Sequence, residues 1–548
     1  MKKIICMVLA LVLCVGLLAG CGGTKTEPAK TEAPKAEAPK TEAPKEGNMI
    51  NTGSSTTAES KATPPPKEAE YYDSLTTYVY NKIAIIDPLN PGAGTAQSGV
   101  IGHLLYDQLV YYAIDGTYEP MLATEWSTDD YVHFNFKLRE GVKYHNGEPF
   151  SADDVAFSID AAKEATGSYM FTTFNQVESY EIVNDYEINL TLKAKNIDFI
   201  YDITNPTTGI LNREAYEGGA ENPGWIGTGP FKVKDMIPND SIVFEANEDY
   251  WGDKALTKTF TLRYIAEDTA RMIMLENGEF DICQLDQINI PKYANDPRFE
   301  INSYMMDNCH YVSFNMKKPI TGDLNFRLAC AYAIDRETIM QITQNGYAKV
   351  VDCGSFWGNN TAYKDRDLPL REQDLEKAKE YLAKSSYNGE KLTVTAHLPQ
   401  TIAVAQVVLQ QLTDIGINVE MNQLDAPSMA TYGTWENNDF DIVCSSGAWT
   451  PLASSCKSYL YPGLNTNKAL YDNPEVTALI DEAAGTPDGP ERQAIYYKIQ
   501  EIVYDEIPYL GIQHGGLYFA AHHGVGGVVF FPTNHIDYSG IYRLKDPA

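Results

Sequence analysis

Apolar and polar side chains alternate along residues 131–138, with Val132, Phe134, Phe136 and Leu138 on one side, and this period of two predicts a strand with one buried face. The same pattern predicts strands at 76–86, ending at Asp87-Pro88, and at 180–183, 187–192, 229–233 and 241–245. Residues 89–99 read as a Gly-rich loop and 100–110 as an apolar helix. Ser151 and Asp154 have the spacing of a capping box, after which Val155, Ile159 and Ala162 share one helical face.

Beyond Asp323 the period changes to alternating helices and strands. Residues 326–334 read as a helix; Asp335 ends it and caps the next, 337–344. A strand at 392–396 is followed by a helical stripe of Ile402, Ala405, Leu409 and Leu412, closed by Gly416, and then by strands at 417–421 and 440–444. This grammar predicts a mixed or parallel sheet covered by helices, and so an α/β protein. Two more helices begin at Pro474 and Glu491, the second with Ile495, Ile499 and Ile502 on one face. After Pro508 a strand is expected at 509–513, then a Gly-rich tail.

The N-terminal segment changes the picture of where the chain works. Lys2 and Lys3 precede an apolar run at 4–18, too short to span a bilayer comfortably, and Leu18-Ala19-Gly20-Cys21 closes it. That ending resembles the bacterial lipobox. Residues 1–20 are then a lipoprotein signal peptide and Cys21 the lipidated N-terminus, on the outer face of the cell membrane. Residues 21–70 form a Pro/Lys/Glu-rich tether with five-residue repeats at 31–35, 36–40 and 41–45. Such a composition cannot bury enough surface to order itself, and about 45 flexible residues reach on the order of 40 Å.

Charge narrows the partners. Against 43 Lys+Arg stand 74 Asp+Glu, a net charge of −31, which argues against nucleic acid or an anionic membrane surface as ligand. Beyond Cys21 lie Cys283, Cys309, Cys330, Cys353, Cys444 and Cys456, whose spacing matches no zinc pattern and leaves disulfides and buried free thiols both open. The sequence contains no nucleophile elbow, zinc-protease helix, EF-hand loop or Walker A. Gly227-Thr228-Gly229-Pro230 reads as a structural turn, since Pro230 removes an amide donor. His522 and His523 point to opposite faces of a strand. No catalytic residue, metal ligand or cofactor is nominated.

In order along the chain, four blocks carry a resemblance. The first runs from Pro120 to Trp126 and on through Phe136-Lys137-Leu138-Arg139-Glu140-Gly141 to Asp154-Val155. The second is Gly227 to Phe231 with Asn247-Glu248-Asp249-Tyr250-Trp251-Gly252; the third Asn325-Phe326-Arg327 to Asp335-Arg336; the fourth Asn473-Pro474 through Glu491-Arg492 to Pro508. Together they resemble the extracellular solute-binding proteins, family 5, which include dipeptide, oligopeptide and nickel binders of ABC importers. The resemblance implies a two-lobed periplasmic-binding-protein-like fold: lobe I at 71–312 with an inserted subdomain at about 111–195, lobe II at 313–510, and a return to lobe I at 511–548. Two crossing strands are expected near 310–315 and 509–513. It further implies a monomer that hands a small ligand to ABC permease subunits, and it makes Arg139, Asp154 and Arg327 candidates for core ion pairs.

For the ligand, the resemblance points to the segment after strand 440–444. Peptide binders of the family carry there a Trp and then an Asp that pairs with the peptide's amino terminus. Here it reads Gly447-Ala448-Trp449-Thr450, with a neutral hydroxyl near the acidic position. Thr95, Tyr169 and Trp357 complete the candidate binding residues. A peptide or peptide-like solute is expected first; a sugar, opine or metal chelate gains from the missing carboxylate. A surface hydrolase and a sensor or adhesin are the rival classes.

Overall fold

The alternation at 131–138 becomes the strand His133–Leu138, with Phe134, Phe136 and Leu138 buried and Lys137 exposed. Residues 69–79, 81–90, 95–531 and 535–547 are described by the structure, a computed structural model. The expected signal peptide, Cys21 and nearly all of the tether lie outside the described residues.

His133–Leu138 sits in a four-stranded antiparallel sheet with Ala123–Ser127, Glu187–Leu192 and Val177–Asn184. The helix Ala152–Glu164 buries Val155, Ile159 and Ala162. A second four-stranded sheet runs Ser74–Val79, Thr259–Tyr264, Ser241–Ala246, Phe231–Ile237, its first pair parallel. Phe134, Phe136, Phe231, Phe244 and Phe260 join the two sheets in one core, in the part of the chain expected to be lobe I.

Tertiary pairing moved two boundaries. The first strand ends at Val79 and not at 86, and Ile85 beyond it is 51% exposed. The helix is Thr95–Leu105 and not 100–110. Past Leu105 the carbonyls of Leu105, Gln108 and Leu109 accept the N–H groups of Gly229, Leu122 and Ala123, so helical bonding gives way to pairing with distant chain.

The 227–230 turn is structural, as its proline predicts. A Cβ on Gly227 would lie 1.9 Å from the Leu105 carbonyl oxygen, so only glycine lets the two backbones meet. Gly227→Ala is therefore expected to lower stability by about 1–3 kcal/mol, read as the urea midpoint; an unchanged midpoint would show that the turn can shift freely. Asp107 is wholly buried beside it, and its carboxylate accepts the Tyr250 hydroxyl at 3.0 Å and the Trp251 indole N–H at 2.8 Å. The Asn-Glu-Asp-Tyr-Trp-Gly block thus locks the lobe.

His145 is held as the neutral ring, with Nε2 donating to Gly229 O at 3.0 Å and Nδ1 accepting the Gly227 N–H at 3.2 Å. Burial pushes its pKa down to about 4. The unfolded chain, with an ordinary histidine near 6.5, then binds the proton first, so this share of stability is whole above about pH 6.5 and is lost as pH falls toward 4. Thermal melting between pH 7 and 4.5 should show the decline, and His145→Gln should flatten part of it.

The second half is built on two long strands, Phe299–Phe314 and Tyr509–His522, paired antiparallel. The expected crossing segments are the far ends of these longer elements. The glycines expected in a tail instead continue the strand, Gly515 packing on Met306 and Asn308. A seven-stranded sheet follows the order Ile282–Gln284, Tyr509–His522, Phe299–Phe314, Ile442–Gly447, Leu392–Ala396, Val419–Gln423, with Ala348–Val350 also on Tyr509–His522. Leu392–Ala396 is parallel to both its neighbours, and the helix Pro399–Asp414 makes the crossover. Asp335 caps Arg336–Gln344 by accepting the Thr338 N–H at 3.0 Å. In the part of the chain expected to be lobe II, one core lies around Phe314, Phe326, Val394 and Ile442, and another around Trp357, Trp449, Tyr459 and Tyr496.

The three charged residues expected in core ion pairs have other partners. Arg139 donates to Met121 O at 2.8 Å and lies 4.1 Å over the Trp251 ring. Arg327 donates to the carbonyls of Glu506 and Thr321. Asp154 accepts the N–H groups of Ser151 and Arg213 at 3.0 Å, while burial pushes its carboxyl up to about 6. Orphan backbone groups at helix ends and turns are what these charges meet, a need that residue type alone does not display. The six cysteines among the described residues are free and buried. No described helix is long and apolar enough to cross a membrane, and no group of three metal-ligating side chains is found among the described residues.

Candidate functional site

Strand Ile442–Gly447 lies against Phe299–Phe314 with Gly447 opposite Cys309, and it delivers the chain to Trp449 beside the long strand pair. Gly447 leaves room for Tyr459, whose ring would stand 3.0 Å from a Cβ there. The Tyr459 hydroxyl donates to the carbonyl of the exposed Ala448 at 2.9 Å. Trp449 is 2% exposed and stacks on Trp357 at 5.2 Å, with Tyr459 at 4.8 Å and Phe356 at 5.1 Å. Thr450 accepts the Thr361 hydroxyl at its carbonyl, 2.9 Å, and the Leu452 N–H at its own hydroxyl, 3.2 Å. That hydroxyl is engaged within its own turn.

Of the expected site residues, Trp357 thus joins the 447–450 segment. It also lines a small pocket, with Arg336, Phe356, Arg371 and Tyr504. Tyr169 is 47% exposed, on the helix Tyr169–Phe174 that packs on Ala152–Glu164 and Pro206–Thr208. Thr95 opens the helix Thr95–Leu105, and its side chain lies outside the described residues.

Sequence reading missed the acidic group closest to this cluster. Pairing of the long strands breaks between Met305 and Cys309, and Asp307 sits in the break, wholly buried. A Cβ on Gly358 would lie 2.6 Å from Trp449 Cβ and 2.8 Å from Asp307 O, so the 358–361 loop, the tryptophan and the aspartate meet at one point. Asp307 Oδ1 accepts the Asn360 N–H at 2.6 Å. Burial pushes its carboxyl up to about 6. Tyr112 and Tyr201 contact each other edge to face at 5.1 Å; burial above all, with the Asp307 charge among the smaller causes, pushes up their hydroxyls and that of Tyr304 on the long strand. Lys364, the nearest cation to act on Asp307, is itself paired with Asp352 at 3.1 Å. His514 donates from Nδ1 to Asn308 O at 3.0 Å, and burial holds it neutral with a pKa of about 3. No periodic signal marks Asp307; in so acidic a chain, only its position in the break of pairing does.

The lobes also touch through charge. Arg492, on the helix Pro490–Glu506 of lobe II, reaches both Asp198 oxygens at 3.2 Å and Asp488 at 2.8 Å. Asp198 immediately precedes the lobe I core residue Phe199. Nearby, Lys195 Nζ donates to Gly485 O at 2.7 Å. An aromatic wall, an interior carboxylate and an ionic contact across the lobes suit the capture of a small molecule, with the two long strands as the joint.

Comparison with known proteins agrees. The chain is 24% identical over 495 residues to the nickel-binding periplasmic protein of Escherichia coli (strain K12), covering 84% of this chain and 93% of that one. It is 26% identical over 443 residues to the oligopeptide-binding protein AppA of Bacillus subtilis (strain 168), covering 74% and 80%. The crystal structure of the ABC transporter substrate-binding protein CtaP from Listeria monocytogenes superposes with a TM-score of 0.78 at 25% identity, over 87% of this chain and all of that one. These relatives are solute-binding proteins and not enzymes. With residues 117–470 matching the model of the bacterial extracellular solute-binding proteins, family 5, this chain belongs to that family.

Proposed function

We propose that the chain is a lipid-anchored receptor outside the cytoplasm, which traps a small solute between its lobes and delivers it to an ABC import permease. The observation that carries this reading is the meeting of Trp449, the 358–361 loop and the Asp307 backbone at the long strands, with the Arg492–Asp198 pair joining the two halves of the chain beside them. Lobe I is assigned to 71–312 with its subdomain at about 111–195, lobe II to 313–510, and the return to 511–548. Cys21 would carry the lipid, and 21–70 the tether. The monomer is the working form, because one chain supplies both walls. Gly447, Ala448, Trp449, Thr450 and Trp357 form the lobe II wall, with Thr95 and Tyr169 offered from lobe I.

A solute favours the closed form only through contacts it gains on closure. Small-angle scattering should therefore show a smaller radius of gyration once a verified solute is bound. Native mass spectrometry of protein purified without refolding should find that solute. Identical compactness with and without it would remove the proposal. A peptide or peptide-like solute is the first reading, in keeping with the oligopeptide-binding relative. A non-peptide solute such as a sugar, opine or metal chelate is the second, favoured by Thr450, whose hydroxyl is bound within its own turn, and by the nickel-binding relative.

A further inference from the structure

We propose that Asp307, from the long strand and not from the 447–450 segment, receives a protonated amine of the solute. This rests on capture between the lobes. Of its carboxylate, Oδ1 accepts the Asn360 N–H at 2.6 Å, whereas Oδ2 is buried with no hydrogen-bond partner. A buried carboxylate oxygen without a donor is costly, and the cost is removed when a cation arrives with N–H groups. Lys364, whose charge acts on Asp307, is committed elsewhere: its ammonium is 3.1 Å from Asp352, which is also held by Lys349 and Arg366, and the Asn360 side-chain amide beside the Asp307 carboxylate is neutral. Burial raises the Asp307 pKa to about 6, leaving it ionised at neutral pH in a site that disfavours its charge.

The surroundings fit an ammonium. The Asp307 main-chain carbonyl oxygen and Trp449 Cβ both face Gly358, which sets this stretch of the long strand against the segment that carries the aromatic wall. Tyr304, on the same strand, shares the Asn360 side chain with Asp307. The acidic partner that position 450 lacks is thus offered from the neighbouring strand. A solute whose amine is placed differently from an ordinary peptide's would match it.

The test uses the full chain and two probes, a casein hydrolysate and the same hydrolysate with its amines acetylated, read by thermal melting and by scattering. The intact hydrolysate should raise the melting temperature and compact the protein, and the acetylated one should do neither. Asp307→Asn keeps the acceptor for Asn360 and should fold, its own melting temperature equal or higher because no charge is buried. Its apparent affinity for the intact hydrolysate should be weaker by about ten- to a hundredfold, the worth of a hydrogen bond to a charged group. Equal response to both probes, or an unweakened Asp307→Asn, would overturn the amine site while leaving capture intact. No melting shift and no compaction with either probe would overturn capture in this solute class, and the amine site with it.

Discussion

Replacing Arg492 with alanine should open the unliganded protein. Arg492 has only 4% of its side chain exposed and Asp198 16%, so the pair is a buried contact in which the guanidinium reaches both carboxylate oxygens. It is also a contact between two cores, since Phe199 follows Asp198 in lobe I and Tyr496 lies one turn beyond Arg492 in lobe II. Losing one member of a buried pair costs about 3–5 kcal/mol when the other stays buried. Here the carboxylate has an escape: if the lobes part, Asp198 regains water. The loss should therefore appear as a larger radius of gyration, with a smaller change in the urea midpoint. Asp198→Ala should have the same effect, and the double variant should be no worse than either alone. Unchanged scattering in all three would mean that the Lys195 contact with Gly485 and the remaining packing hold the lobes without this pair.

Trp449→Ala should act on stability and on binding together. The indole is packed among Trp357, Phe356 and Tyr459 and is 2% exposed, so its removal should cost about 3–5 kcal/mol through lost burial and a partly unfilled cavity. Trp449→Phe restores much of the aromatic packing and isolates the second effect. If the proposed wall is correct, Trp449→Phe should fold with a midpoint near that of the parent yet retain several-fold less solute in native mass spectra. Undiminished retention would make Trp449 a structural residue of lobe II alone.

The hydrophobic pattern carried most of the architecture because burial is periodic: Phe134, Phe136 and Leu138 face one way whatever lies beyond them. Boundaries fixed by distant backbone were not legible in the same way. Leu105 ends a helix because Gly229 takes its carbonyl, and nothing in the neighbouring residues announces a partner so far along the chain. The long strands were underestimated for a related reason, since Gly515 and Gly516 look like a loop until their strand partners Ala348 and Met305 are seen against them. In the candidate site, the tryptophan was legible through the family resemblance of the segment after strand 440–444. Asp307 was not, because its importance comes from a lapse in pairing and a missing donor, neither of which has a sequence period. Arg492 lay in plain sight within a quoted block, but its partner Asp198 did not.

The strand Tyr509–His522 has a consequence for the order in which the protein is made. Its residues 519–521 pair with Ile282–Gln284, and beyond them Ile541 accepts the Thr257 hydroxyl while Arg543 binds Asp281 at 2.8 Å. Until that segment is translated, the Ile282–Gln284 strand has an open edge and Asp281, though it holds the Thr76 N–H, lacks its arginine, so this part cannot be completed ahead of its neighbour. A nascent chain of this topology stays unfinished until its last segment emerges, which is the condition an exported polypeptide needs if it is to be threaded through a membrane before it folds.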